Sequence, residues 1–122
     1  MDAPDKFDIH ARIFKFVIRV LTLTKSLPKN YENRVIVEQL MRSVTSMGAN
    51  DQEANGASSR KDFCHCYTIV RKESLETYYW LSLIAELNAS YKSRMAQLLQ
   101  ENNEIIKIVS TIVKNAKASI RN

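Results

Sequence analysis

Residues Gln39–Leu83 read QLMRSVTSMGANDQEANGASSRKDFCHCYTIVRKESLETYYWLSL, and this stretch decides the fold. Val37, Leu40, Met41 and Val44 run into it at the three- and four-residue steps of one helix face. Phe63, Cys66, Ile69 or Val70, Thr77, Trp80 or Leu81, Ile84 and Leu87 resume that period on the far side, and Tyr67, Tyr78 and Tyr79 add aromatic bulk. Between the two runs Asn55-Gly56 marks a reversal, since both residues tolerate positive φ. Ser58 or Ser59 caps the helix on the far side of that reversal. Ser59 with Asp62 is close to a capping box, although that motif prefers Glu or Gln at its last position. The stretch is two helices folded back on one another.

Working outward, a first helix is expected over residues 6–27. Ile9, Ile13, Val17, Val20 and Leu27 form one apolar row, and Phe14, Ile18 and Leu21 form a second beside it. Together they make a face wider than one antiparallel neighbour covers. Pro28 stops this helix, and Asn30 or Asn33 caps the next. The second and third helices are expected over 31–53 and 59–87. Asn88-Ala89-Ser90 interrupts the pattern, with Ser90 as cap of a fourth helix over 91–118. There Met95, Leu98, Asn102, Ile105, Val109, Ile112 and Ala116 alternate at steps of three and four, widened by Ile106, Val113 and Ile120. That is a coiled-coil-like seam whose one polar member, Asn102, can fix register. Four long helices with short connections predict one all-α domain over 1–122, an up-down-up-down antiparallel four-helix bundle.

The totals agree. A chain of 122 residues has room for one core, and 45% hydrophobic residues is too many for a disordered chain. Only 2 Gly and 2 Pro leave few turns. The start, MDAPDKFDIH, is acidic and polar, unlike a signal peptide. No run approaches the roughly 18 apolar residues of a membrane span. A cytoplasmic protein without membrane contact is expected.

Bundle cores often hold metals, yet a di-iron centre needs Glu-x-x-His pairs, and neither His10 nor His65 lies three residues after a Glu. Cys64, His65 and Cys66 diverge in direction on a helix, which argues against a shared zinc ion or a disulfide and leaves the cysteines as small core or boundary residues. No glycine-rich phosphate loop is present, and His65 beside Cys64 is adjacency rather than catalytic geometry. The expectation is no catalytic residue, no metal, no cofactor and no enzymatic activity.

Two polar constellations stand out. Glu38, Arg42, Ser46, Asn50 and Glu53 share one side of the second helix, and Glu73 and Glu76 sit between Ile69 and Trp80 on the third. Antiparallel pairing about Gly56 brings Arg42 within reach of both carboxylates. A partly buried interhelical network of Arg42, Ser46, Asn50, Glu53, Glu73 and Glu76 is expected, the alternative being two solvated faces. The second constellation is basic. The net charge of +5 divides as +3 over residues 1–29, −2 over 30–57, 0 over 58–90 and +4 over 91–122. Arg12, Lys15 and Arg19 on the first helix and Lys107, Lys114, Lys117 and Arg121 on the fourth recur at helical spacing. First and last helices of such a bundle are neighbours, so the rows are expected to merge into a patch for phosphate backbones. Simple solubility is the alternative.

The central hairpin also resembles a known family. Gln39-Leu40-Met41-Arg42-Ser43, Ser46, Asn50, Glu53, Ser59-Arg60-Lys61-Asp62-Phe63, Lys72-Glu73, Glu76-Thr77 and Tyr79-Trp80-Leu81 are similar to the bacterial four-helix-bundle proteins encoded within intervening sequences of 23S ribosomal RNA genes. The resemblance covers about residues 7–90, is most specific over 39–83, and in the fourth helix is one of pattern. This chain departs from it at Glu53-Ala54, where the family usually has Glu-Gly, and at Asp51 and Gln52, where it usually has apolar residues or Ala. The resemblance implies a homopentameric ring, and kinship with the accessory variability protein of diversity-generating retroelements, a basic pentamer that binds a reverse transcriptase and nucleic acid. It brings no catalytic residue. The reading is a non-enzymatic oligomeric bundle that binds nucleic acid, RNA before DNA, through its first and fourth helices. The alternative is an adaptor for a protein partner such as a reverse transcriptase.

Overall fold

The computed structural model describes residues 8–121. It is an all-α four-helix bundle: α1 Ile9–Ser26, α2 Tyr31–Asn55, α3 Arg60–Leu87 and α4 Lys92–Arg121, with a 3-10 turn, Ala89–Tyr91, leading into α4. Three of the starts are fixed by side chains that take up free first-turn amides. Asp8 accepts from His10 N at 2.9 Å and from Ala11 N at 3.3 Å, so it caps the helix that begins at Ile9; the expected start at residue 6 lies outside the described residues. Asn30, not Asn33, caps α2 at 2.8 Å, and Ser59 caps α3 through Asp62 N at 3.1 Å. Ser90 lies inside the 3-10 turn. At the α2–α3 reversal Gly56 does not use a positive φ: it has φ −99° and its N–H donates to Glu53 O at 3.1 Å.

Each helix packs on two neighbours in a ring, α1–α2–α3–α4 and back to α1. The α2–α3 and α3–α4 seams are the more extensive, and α1 is held more lightly. The centre holds Phe16 and Val20 from α1, Leu40 and Met47 from α2, Tyr67 and Val70 from α3, and Met95 and Ile105 from α4, all 0% exposed. In α1 the buried row is Ile13, Phe16, Val20 and Leu23, and Leu27, just past its end, is buried too. Phe14 and Ile18, expected to widen that face, stay 65% and 49% exposed. Met41 and Leu87 are likewise outside the core. At Gly48 a Cβ would sit 3.2 Å from Val17 Cγ2, so glycine admits α1 close to α2 there.

Buried polar groups tie the seams. Ser43 and Thr77 hydroxyls meet at 2.8 Å across α2 and α3. Asn102, 0% exposed, donates to Ser74 O at 3.1 Å across α3 and α4, while its Oδ1 has no partner among the described residues. Asn33 and Asn88 exchange two amide hydrogen bonds of 3.0 Å, joining the α1–α2 connection to the α3–α4 connection. Both cysteines are buried and free. No helix among the described residues is long and apolar enough to cross a membrane.

Candidate nucleic-acid interface

The basic residues fall on two flanks of α4 and do not merge. Glu101 of α4 points at α1, where Arg12 grips it with Nε to Oε2 at 3.0 Å and Nη2 to Oε1 at 2.7 Å. This bidentate pair, reinforced by Glu104, raises the Arg12 guanidinium above its ordinary value and commits it to holding α1 on α4. Arg12 therefore leaves the set of cations open to a phosphate. Lys15 and Arg19 remain exposed on α1, and Arg19 faces Arg94 across a groove between α1 and α4.

On the other flank Lys107, Ser110, Lys114, Lys117 and Arg121 succeed one another at steps of three and four, so they form one row. That row faces the α3 side, because Arg71 of α3 donates to Ser110 Oγ at 2.9 Å. The four cations are exposed, and with a rise of about 1.5 Å per residue they extend over roughly 20 Å. The row misses α1 because α4 packs α1 through the flank of Arg94 and Glu101. A pattern of spacing within one helix does not say which neighbour that flank meets.

The polar residues of α2 and α3 come together around Arg42. Its Nη1 lies 3.5 Å from Glu73 Oε1, and its Nη2 contacts Glu76. Ser46 Oγ donates to Glu73 Oε2 at 3.4 Å, Asn50 Nδ2 donates to Ser46 O at 2.9 Å, and Trp80 Nε1 donates to Glu76 Oε2 at 3.0 Å. Glu53 is exposed and takes no part. Both carboxylates are engaged by donors, Glu73 across α2 and α3 and Glu76 by Arg42 and Trp80. Among the described residues no group of three or more His, Cys, Asp or Glu is placed to hold a metal ion.

Against this geometry, a family model described as the 23S rRNA-intervening sequence protein matches residues 5–111. The chain belongs to that family. The match reaches well into α4, past the hairpin on which the resemblance is most specific. Among solved structures, this family member is similar to a protein of unknown function from the S23 ribosomal protein family of Bacteroides thetaiotaomicron. That protein is 32% identical, with 87% of this chain and 98% of that chain covered and a TM-score of 0.78. No curated protein matches.

One further constellation has no local pattern in the sequence. Asp51 is 1% exposed, and its Oδ1 takes both the Tyr67 hydroxyl and His10 Nδ1, the latter at 2.7 Å. Burial and the Asp51 carboxylate push the Tyr67 phenol well above its ordinary range. A signal existed. Asp51 continues the buried row Leu40, Val44, Met47 at a step of four, so an acid stands where the helix calls for an apolar residue. Its partners lie 41 and 16 residues away, and no local pattern names them. Burial, helped by Glu53 and Asp62, also pushes the Cys66 thiol up.

Proposed function

We propose that this protein is a non-enzymatic, cytoplasmic, homo-oligomeric bundle that binds nucleic acid, RNA rather than DNA. The observation that carries the reading is the α4 row Lys107, Lys114, Lys117 and Arg121: four exposed cations on one flank, none paired with a carboxylate among the described residues. Of the two acids of α4, Glu101 is engaged by Arg12, and Glu104 makes no ion pair with the row among the described residues. Such a row follows a phosphate backbone by displacing counterions and reads no sequence. Lys15 and Arg19 with Arg94 supply a second cationic surface on the opposite flank.

The assay is fluorescence anisotropy of a labelled structured RNA across a salt series. Binding that weakens log-linearly with salt is expected. Replacing Lys107, Lys114 and Lys117 by Gln flattens the slope by about 0.7 to 0.9 for each phosphate no longer neutralised. No binding at low salt overturns the reading. The exposed Phe14 and Ile18, one turn apart on α1, favour a second role in protein contact. We assign them to contact between copies, five per ring as the resemblance implies, with an adaptor surface for a partner such as a reverse transcriptase as the second reading.

A further inference from the structure

Between α1 and α4, beside the α3–α4 connection, lies a groove of about 480 Å³. This is the size of a small-molecule site, roughly 300–1,000 Å³. Leu23 and Leu98, both buried, form its floor, and Ile18 rises half-exposed at the edge. Arg19 and Arg94 stand on opposite walls, with the hydroxyls of Thr22 and Ser93 and the amide of Gln97 between them. No carboxylate lines the groove. Arg94 is held in place: its Cζ sits 4.4 Å from the ring centroid of Tyr91, whose hydroxyl donates to Ser26 O at the end of α1. A cation ordered in advance loses less freedom when it takes an anion.

An apolar floor, hydrogen-bonding edges and two guanidiniums without carboxylate partners among the described residues complement a heterocycle joined to a phosphate. The base lies on Leu23 and Leu98, its edge meets Thr22, Ser93 and Gln97, and the phosphate bridges Arg19 and Arg94. We infer that the α1–α4 groove binds one unpaired nucleotide. A base stacked inside a duplex does not reach the floor, so the groove takes a nucleotide splayed from a single-stranded loop, bulge or end. The inference rests on the proposed nucleic-acid reading for its choice of nucleotide as the anion, but it concerns a different surface from the α4 row.

The test is titration of adenosine 5′-monophosphate into the full chain, followed by amide NMR, with inorganic phosphate as the parallel probe. Saturable shifts centred on Thr22, Ser93, Arg94 and Gln97 are expected with the nucleotide. The double variant Arg19→Gln/Arg94→Gln, at exposed positions, weakens them by about tenfold or more. Thr22→Trp, which fills the groove without changing charge, abolishes them. Absence of shifts at the groove overturns the inference. So does an equal response to inorganic phosphate, which marks a simple anion site, or a groove covered by a second copy and silent to nucleotide. None of these outcomes bears on the α4 row, which the salt series with Lys107, Lys114 and Lys117 judges by itself.

Discussion

At Asp51 one carboxylate oxygen serves donors from α1 and α3 at once. Truncating it to Ala leaves the buried Tyr67 hydroxyl without an acceptor, and the expected loss is about 3 kcal/mol in urea-unfolding stability. Asp51→Asn keeps an acceptor and costs less, and Tyr67→Phe, which removes only the donor, costs about 1 kcal/mol. A different order among the three would remove Asp51 as the hub. The raised Tyr67 phenol gives a pH dependence of definite sign. From about pH 10 upward the unfolded chain loses the tyrosine proton while the native state keeps it, so the unfolded state binds fewer protons and stability falls as pH rises. Unfolding midpoints from pH 8 to 11 should show that fall, and Tyr67→Phe should flatten it. At Cys66 the raised thiol and its burial predict slow labelling by a thiol reagent at pH 8, with the rate restored in urea.

Among the elements, α1 is the most lightly held, fastened to its neighbours by His10–Asp51 and Arg12–Glu101 beside its apolar row. Hydrogen exchange should therefore show α1 opening at lower free energy than the α2–α3 hairpin, and Glu101→Gln should lower protection in α1 while leaving α2 and α3 nearly unchanged. Equal protection along all four helices would refute this. The paired amides Asn33 and Asn88 act between connections rather than along a seam. Removing either leaves the buried Oδ1 of the other without its donor, while its Nδ2 keeps a backbone carbonyl (Pro28 O for Asn33, Ile84 O for Asn88), so a double-mutant cycle should show coupling of about 1 kcal/mol.

For the whole molecule the question is how much apolar surface one copy leaves uncovered. Phe14 and Ile18 on α1 and Tyr31 and Val35 on α2 remain largely exposed. If copies associate through α1, sedimentation of the native chain should show an assembly, and Phe14→Ser with Ile18→Ser should shift it towards monomer without loss of helicity. An unchanged assembly would move the contact off α1.

By itself the sequence determined the four helices, their order and most of their ends, because caps, breakers and period are local: Asn30, Ser59 and Pro28 act on amides and dihedrals within a few residues of themselves. It also placed Arg42 among Glu73, Glu76, Ser46 and Asn50, since a hairpin with a short turn sets its own register. Only the tertiary structure decided what depends on rotation of one helix against another. Phe16 rather than Phe14 entered the core because α1 turned that edge of its apolar face inward. The basic residues of α4 parted from those of α1 because α4 meets α1 through the flank of Arg94 and Glu101. Asp51 found His10 and Tyr67 because three helices converge on it. Periodicity fixes which residues share a face. Which neighbour that face meets is a property of the packed whole.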